Sequence, residues 1–391
     1  MTVKVSKPAI NVREELADLR KPTGIAGEAM LRAETPQEQF NLIGAGRRNL
    51  IINGAMQVAQ RGNSKTATAA GTYLLDRFQA YSGNPSTYGY TVSQETDSPN
   101  GFANSLKYNF DDADTSPSTE HSIYHKMEGQ NLQQLQKGTS SAKSVTLSFW
   151  CKASLAGTYI AELMDNDNSN RHINKSYSIS AVNTWEYKAI TFEGDTAGAL
   201  ANDAGNSLGI TYWLAANSSN TSGTLQTAWG SLSQGNRAVG QTNLGATANN
   251  SFFLTGVQLE LGKVATPFEH RSYGEELAAC QRYFTRLPYV DNAASGYGPL
   301  AHGSGYNSST IYATLVFPTM MRAAPTVTPT GSFRVVYGDQ DVTGGQVAML
   351  DTAQGSGLLR YIGGSSFTIG QAAWISMNND PDGGILMDAE L

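Results

Sequence analysis

The sequence predicts a mainly β protein with short N-terminal helices, a central antiparallel jelly-roll or β-sandwich, a short linker helix and a C-terminal β-sandwich. Three observations predict it. Runs in which apolar and polar residues alternate with a period of two recur along the chain. Clusters of Gly, Asn, Asp and Ser separate these runs, as turns require. Helical periodicity is confined to short stretches, near the N-terminus and around residues 272–287. The implied division is a helical segment over 1–46, a β-domain over 47–271, a linker helix over 272–287 and a second β-domain over 288–391.

In the first segment, Asn11 can cap a helix reaching Leu19, with Val12, Leu16 and Leu19 on one face. Pro22 and Gly24 break it; further short helices fit 26–33 and 35–44, the last carrying Phe40. Isolated helices below about 12–15 residues are marginal in water, so these need a partner surface.

In the central domain, Val145, Leu147, Phe149 and Cys151 share one strand face, and Thr146, Ser148, Trp150 and Lys152 share the other. Leu208, Ile210, Tyr212 and Leu214 oppose Thr211 and Trp213 in the same way. Further strands are expected at 88–94, 105–110, 159–163, 175–180 and 185–192. From Phe252 to Leu261 the alternation sets Phe253, Thr255, Val257, Leu259 and Leu261 against Phe252, Leu254, Gly256, Gln258 and Glu260. After Pro267, Ser272 and Glu275 form the Ser-x-x-Glu pattern of a capping box, and Leu277, Cys280, Gln281 and Phe284 fall on one stripe. Pro288 should stop that helix. Beyond it, strands are expected at 310–317, 332–337, 347–350, 358–362 and 372–377, with Gly-rich turns between.

Two strings make the chain recognisable: GVQLELGKVATPFEHRSYGEELAACQRYF, ending at Phe284, and RRNLIINGAMQVAQRGNS (Arg47–Ser64), followed by YLLDRFQAYSG (Tyr73–Gly83). They resemble segments of phage tail fibre and tail appendage proteins, especially of podoviruses of aquatic bacteria. There N-x-x-x-N-G leads into QRG and an ADRW-like strand that opens a carbohydrate-binding-module-like β-sandwich. Leu75-Asp76-Arg77-Phe78 departs from that pattern in its first and last letters. The strings bracket roughly residues 47–284. The resemblance implies a homotrimeric virion component that attaches to a host-surface glycan or outer-membrane receptor. It also implies virion docking through the N-terminal segment (Val12, Leu16, Leu19, Phe40) onto tail or adaptor proteins, and a distal C-terminal domain. Leu277, Cys280 and Phe284 are then candidates for packing around a threefold axis, with the helix spacing the two β-domains. A head or neck appendage, a fibre scaffold and a surface-glycan depolymerase are the alternative readings.

Composition suits such a particle. Only 15% of the 391 residues are charged and 40 are Gly, against a usual charged share of about 25%. The net charge of -6 and the lack of a basic stripe argue against nucleic-acid binding. No apolar run approaches the roughly 18 residues of a membrane span, so membrane insertion is not expected. MTVKVSKPAINVREEL lacks a signal peptide's apolar centre, so synthesis in the host cytoplasm without export of its own is expected. Residues 286–391 hold four Arg against eight Asp and Glu, which concentrates the negative charge there. Cys151 and Cys280, the two cysteines, read as buried free thiols.

Candidate sites are few. Asp111, Asp112, Asp114 and Glu120, and Asp165 with Asp167, read as solvated turn residues rather than the paired carboxyls of a glycan hydrolase, which sit about 5–9 Å apart. No catalytic residue or cofactor is assigned. Asp165-Asn166-Asp167-Asn168 offers calcium-type oxygens but lacks the glycine and closing Glu of an EF-hand. His121 and His125 have i, i+4 spacing, but Ser-Ile-Tyr between them favours a strand that would set them about 13 Å apart. The candidate glycan contacts are aromatics opposite or beside polar groups: Trp150, Trp213, Tyr297, Tyr306 and Tyr312. Rings stack on apolar sugar faces while nearby polar groups fix hydroxyls.

Overall fold

The computed structural model describes residues 47–288 and 296–391, apart from 68, 118, 365 and 366, together with the helical Met30, Arg32 and Gln39. Val12, Leu16, Leu19 and Phe40 lie outside the described residues.

The chain is mainly β, as expected. The first domain contains β1 (Ser64–Thr66), β2 (Gly71–Tyr73), β3 (Phe78–Ser82), β4 (Tyr90–Glu95), β5 (Ser105–Phe110), β6 (His121–Glu128), β7 (Val145–Ala153), β8 (Gly157–Asp165), β9 (Arg171–Ile179), β10 (Glu186–Phe192), β11 (Asn206–Ala215) and β12 (Ser251–Leu261). They form two antiparallel six-stranded sheets, β1-β4-β5-β12-β7-β10 and β2-β3-β6-β11-β8-β9, packed as a sandwich. The alternation read from the sequence points inward: Leu147, Phe149 and Cys151 of β7 and Leu208, Ile210, Tyr212 and Leu214 of β11 all belong to one buried core.

The alternation of β12 breaks once. A bulge between Thr255 and Gln258 shifts the register against β7, and Gly256 within it has φ +60°. Before the bulge Phe252 and Leu254 point inward; after it Val257 and Leu259 do. Phe253, expected to share a face with Val257, is therefore on the outside. The single extra residue exchanges faces.

The helix α1 (Tyr273–Gln281) has its expected capping box, with Glu275 N–H donating to Ser272 and the Glu275 carboxylate accepting from Ser272 N–H. It ends earlier than the stripe through Phe284 implied. Phe284 instead opens β13 (Phe284–Leu287), which pairs with β22 (Gly384–Asp388). Cys280 and Phe284 are buried within this one chain and Leu277 is half-buried, so Cys280 and Phe284 have no free surface with which to line a threefold axis. Nor is α1 a spacer: Glu276 accepts from Asn53 N–H at 2.6 Å and pairs with Arg271 at 3.3 Å, which binds the helix to the first domain.

The second domain adds β14 (Pro299–Asn307), β15 (Thr310–Val316), β16 (Thr326–Thr330), β17 (Phe333–Tyr337), β18 (Gln340–Thr343), β19 (Gln346–Thr352), β20 (Ser356–Ile362) and β21 (Ala372–Met377). A seven-stranded sheet, β18-β17-β21-β14-β15-β20-β19, packs on the three-stranded β13-β22-β16. Ile311, Ala313, Leu315, Leu359 and Ile375 meet Ile385 and Met387 in a second core.

The last residues join the two domains. Glu390, buried, forms ion pairs with Arg77 and with Arg61, the latter at 3.5 Å. Arg77 also donates to Lys126 O, and its guanidinium lies 3.5 Å from the centre of the Tyr283 ring; Arg61 lies 3.5 Å from that of Phe284. Lys126 and Tyr73 donate to Leu391 O at 2.6 and 3.2 Å, and Arg322 to Ala389 O and Glu390 O. Removing one member of a buried pair leaves the other charge uncompensated, at about 3–5 kcal/mol. Glu390→Gln should therefore lower stability by about that amount and split the unfolding of the two domains into separate calorimetric transitions; one unshifted transition would contradict this account.

Candidate functional site

On the outer face of the first sheet, Trp150 of β7 stands directly opposite Tyr187 of β10, with their rings 5.4 Å apart. Its other neighbour is the bulge of β12, where Thr255 pairs with Trp150. A Cβ on Gly256 would meet Phe102 at 2.7 Å and Trp150 at 3.1 Å. The bare glycine thus does two jobs: it adopts the left-handed backbone and leaves room for both rings.

The opposite wall is the segment that follows β12. Phe268 and His270 pack on Phe102, with centroids 5.0 and 5.3 Å from it. Thr266 is held from behind: its N–H donates to Glu260 at 2.8 Å and its hydroxyl to the same buried carboxylate at 2.6 Å. Trp150, Tyr187, Phe102, Phe268 and His270, with Ser148, Asn100 and Thr266, line an open cleft of about 450 Å³. Tyr187 is 45% exposed, so an aromatic face is presented to solvent. Adjoining it, Trp185 and Phe253 approach at 6.1 Å and Lys152 lies 4.1 Å above Phe253. Asp97 accepts from Lys152 and, at 3.0 Å, from Trp185 Nε1. The hydrogen bond from Lys152 is the main cause holding the Asp97 carboxyl below its ordinary range.

Of the aromatics singled out from sequence, Trp150 alone belongs to this cleft. Trp213 does face away from the core, but a long segment after β11 covers it: it is fully buried, donates to Glu162 at 3.3 Å and carries Arg237 on its ring at 4.9 Å. It cannot meet a ligand. Tyr297, Tyr306 and Tyr312 lie in the second domain. Tyr297 is exposed beside Arg334, and Tyr306 stacks on Tyr312 at 4.5 Å. The sequence reading missed Tyr187, Phe102, Phe268 and His270 as cleft-lining residues. The alternation of Tyr187 with buried Ile190 and Phe192 was a usable signal, whereas the others depend on loop placement.

Asp165 is not a solvated turn residue. It is fully buried, and its carboxylate pairs with Lys137. Lys137 Nζ also meets Asp195 Oδ2 at 3.0 Å, Ala197 O at 3.0 Å and Gly198 O at 2.8 Å. An ammonium thus fills an all-oxygen cage of the kind hard cations take. Asp114 is likewise buried. Among the described residues, no group of three or more His, Cys, Asp and Glu side chains is arranged to hold a metal.

His121 and His125 share a face of β6 and point into the core. His121 Nδ1 meets Tyr108 Oη at 2.8 Å, and His125 Nε2 meets Ile52 O at 3.2 Å. Burial lowers His121 to about 4 and His125 well below its ordinary value.

No family model matches the chain, and no curated protein matches it. Solved structures similar to part of it include the enzymatically active domain of tailspike protein 4 of bacteriophage CBA120, 14% identical with TM-score 0.30; the match covers 55% of this chain and 21% of that one. TmCBM61 in complex with β-1,4-galactotriose is 10% identical with TM-score 0.28, covering 55% of this chain and all of that one (100%). The family 11 carbohydrate-binding module of cellulosomal cellulase Lic26A-Cel5E of Clostridium thermocellum is 13% identical with TM-score 0.28, covering 51% and 100%. Likenesses of this degree leave function to be argued from the cleft itself.

Two outcomes follow from the buried charges. Lys137→Met should cost about 3–5 kcal/mol by leaving the buried Asp165 carboxylate without its ion pair, while Asp195 keeps Arg171, as a thermal-shift assay would show. For His121, a folded-state value below the unfolded one means that stability is whole above about pH 6.5 and is lost as pH falls towards about 4. Asp76, raised to about 6 by burial, works in the opposite direction. Comparing wild type with His121→Gln cancels that contribution: the variant should lose less stability between pH 7 and 4.5, as measured by urea unfolding at each pH.

Proposed function

We propose that this chain is a glycan-binding virion appendage, a tail fibre that attaches a phage to its host surface without cleaving the glycan. The observation that carries this reading is the cleft: solvent-facing Trp150 and Tyr187 opposite Phe102, Phe268 and His270, with hydroxyl and amide groups between them. Sugar rings present apolar faces to aromatics and hydroxyls to polar neighbours, and this lining supplies both. The lining is aromatic, hydroxyl, amide and imidazole in character, which is the chemistry of sugar binding. The tail-fibre assignment rests on the resemblance of the strings at Arg47–Gly83 and Gly256–Phe284.

Virion location, attachment through residues 1–46 and assembly as a homotrimer belong to the same proposal. The threefold contacts would have to come from surfaces other than Cys280 and Phe284, which the single chain already buries.

The test uses the full chain with polysaccharide extracted from the host surface. Trp150→Ala and Tyr187→Ala, both outward-facing, should each weaken binding at least tenfold, equivalent to about 1.4 kcal/mol, while leaving the melting temperature nearly unchanged. Wild-type binding that survives both substitutions would remove the cleft from the account. Release of reducing ends from that polysaccharide would replace binding with catalysis.

A further inference from the structure

The second domain leaves one face of its seven-stranded sheet open, and one row across it has an unusual profile. From β21 through β14, β15 and β20 to β19, the directly opposed residues are Ala372, Ser304, Tyr312, Arg360 and Ala348. Small side chains flank the central pair on both sides. With strands about 4.8 Å apart, the row is a shallow trough about 19 Å long. Tyr306, displaced by the bulge after Gly305, stacks on Tyr312 with its plane tilted by 21°, and so extends the aromatic wall. In the adjoining row His302 faces Trp374, which is 42% exposed.

Arg360 is the exception on this face. On the same face, Arg334 of β17 pairs with Asp341 and hydrogen-bonds Ser376. The Arg360 side chain makes no hydrogen bond or ion pair with any described residue, and its Nε is shielded from solvent without a partner. The nearest carboxylate on this face by register, Asp351, stands opposite Leu358 and does not reach it. A partly buried guanidinium without an acceptor is costly unless something supplies one, and its planar fork fits a carboxylate through two parallel hydrogen bonds.

We propose that this trough is a second binding site, for an oligosaccharide that bears a carboxylate. The sugar ring lies on Tyr312 and Tyr306, the carboxylate meets Arg360, and Ser304 takes a hydroxyl. Charge complementarity selects this occupant: the unpaired cation lies beside aromatic rings on a floor of Ala and Ser. The site differs from the first-domain cleft in place and chemistry, because no Lys, Arg, Asp or Glu lines that cleft.

Calorimetric titration of the full chain at low salt tests this with oligoglucuronate, oligogalacturonate and sialyl-oligosaccharides, each beside its carboxyl-reduced counterpart. At least one acidic form should bind tenfold or more tightly than its reduced form. Arg360→Gln should erase that preference, Tyr312→Ala should weaken both forms, and Trp150→Ala should leave the preference for the acidic form intact. The proposal is overturned if no acidic form is preferred, if Arg360→Gln keeps the preference, or if Trp150→Ala abolishes it. It is also overturned if only phosphorylated oligosaccharides bind. Because Trp150 and Arg360 lie in different domains, either site can fail without the other.

Discussion

The structure depends on one buried carboxylate. Glu390 sits between Arg77 and Arg61, and these two arginines in turn rest on Tyr283 and Phe284. Arg77 is almost fully buried and holds a left-handed backbone at φ 71°, an arrangement that costs free energy on both counts. It persists because the surroundings over-determine it: a carboxylate, a backbone carbonyl and an aromatic face all meet the same guanidinium. Burial alone would lower its pKa, yet the ion pair with Glu390 leaves it raised. The sandwich, α1 and the C-terminal strands therefore share one electrostatic centre, and none of them can shift without exposing a charge to an apolar site.

This centre reassigns the recognisable strings. Asn49 donates to Val257 O and accepts from the Leu259 and Ile51 amides; Asn53 donates to Val58 O and Asp76 O. Gln60 bridges Asp76 to Phe284 O. Gly54 has no room for a Cβ, which would lie 2.1 Å from Val257 O. Arg271 holds the Asn49 and Ile51 carbonyls from the other side. Motif residues from both strings thus meet in space and form a joint, and most of them bind backbone rather than solvent. The joint fixes where the cleft segment at 265–270 leaves the sandwich, so its link to function is positional.

Much of the fold was legible because inward-facing side chains alternate with outward polar ones. Ser105–Phe110, Ala372–Met377 and the capping box of α1 stand where the sequence put them. Legibility ended where packing needs small residues. The inward positions of β14 are Ala301, Gly303 and Gly305, and a Cβ on Gly303 would lie 1.9 Å from Tyr312 O. A central strand built that way has no apolar signature to read. It failed again at Gly256, where one inserted residue inverts the faces of β12, and at Trp213, whose outward direction was correct but whose covering segment could not be foreseen. Strand alternation reports direction; exposure depends on what lies across the face.

The same distinction explains why the candidate sites were harder to read than the joint. A joint residue such as Asn49 must satisfy several backbone groups at fixed distances, so its identity and spacing are constrained together and show as a string. A ring proposed to meet a ligand, such as Tyr187 or Tyr312, must only be aromatic, outward and next to another ring across a strand pair. That neighbour is set by register, which brings Trp150 to Tyr187 from 37 positions away and Tyr312 to Arg360 from 48. The chemistry of both proposed sites is a property of paired strands rather than of sequence neighbours, and it becomes visible once the register is known.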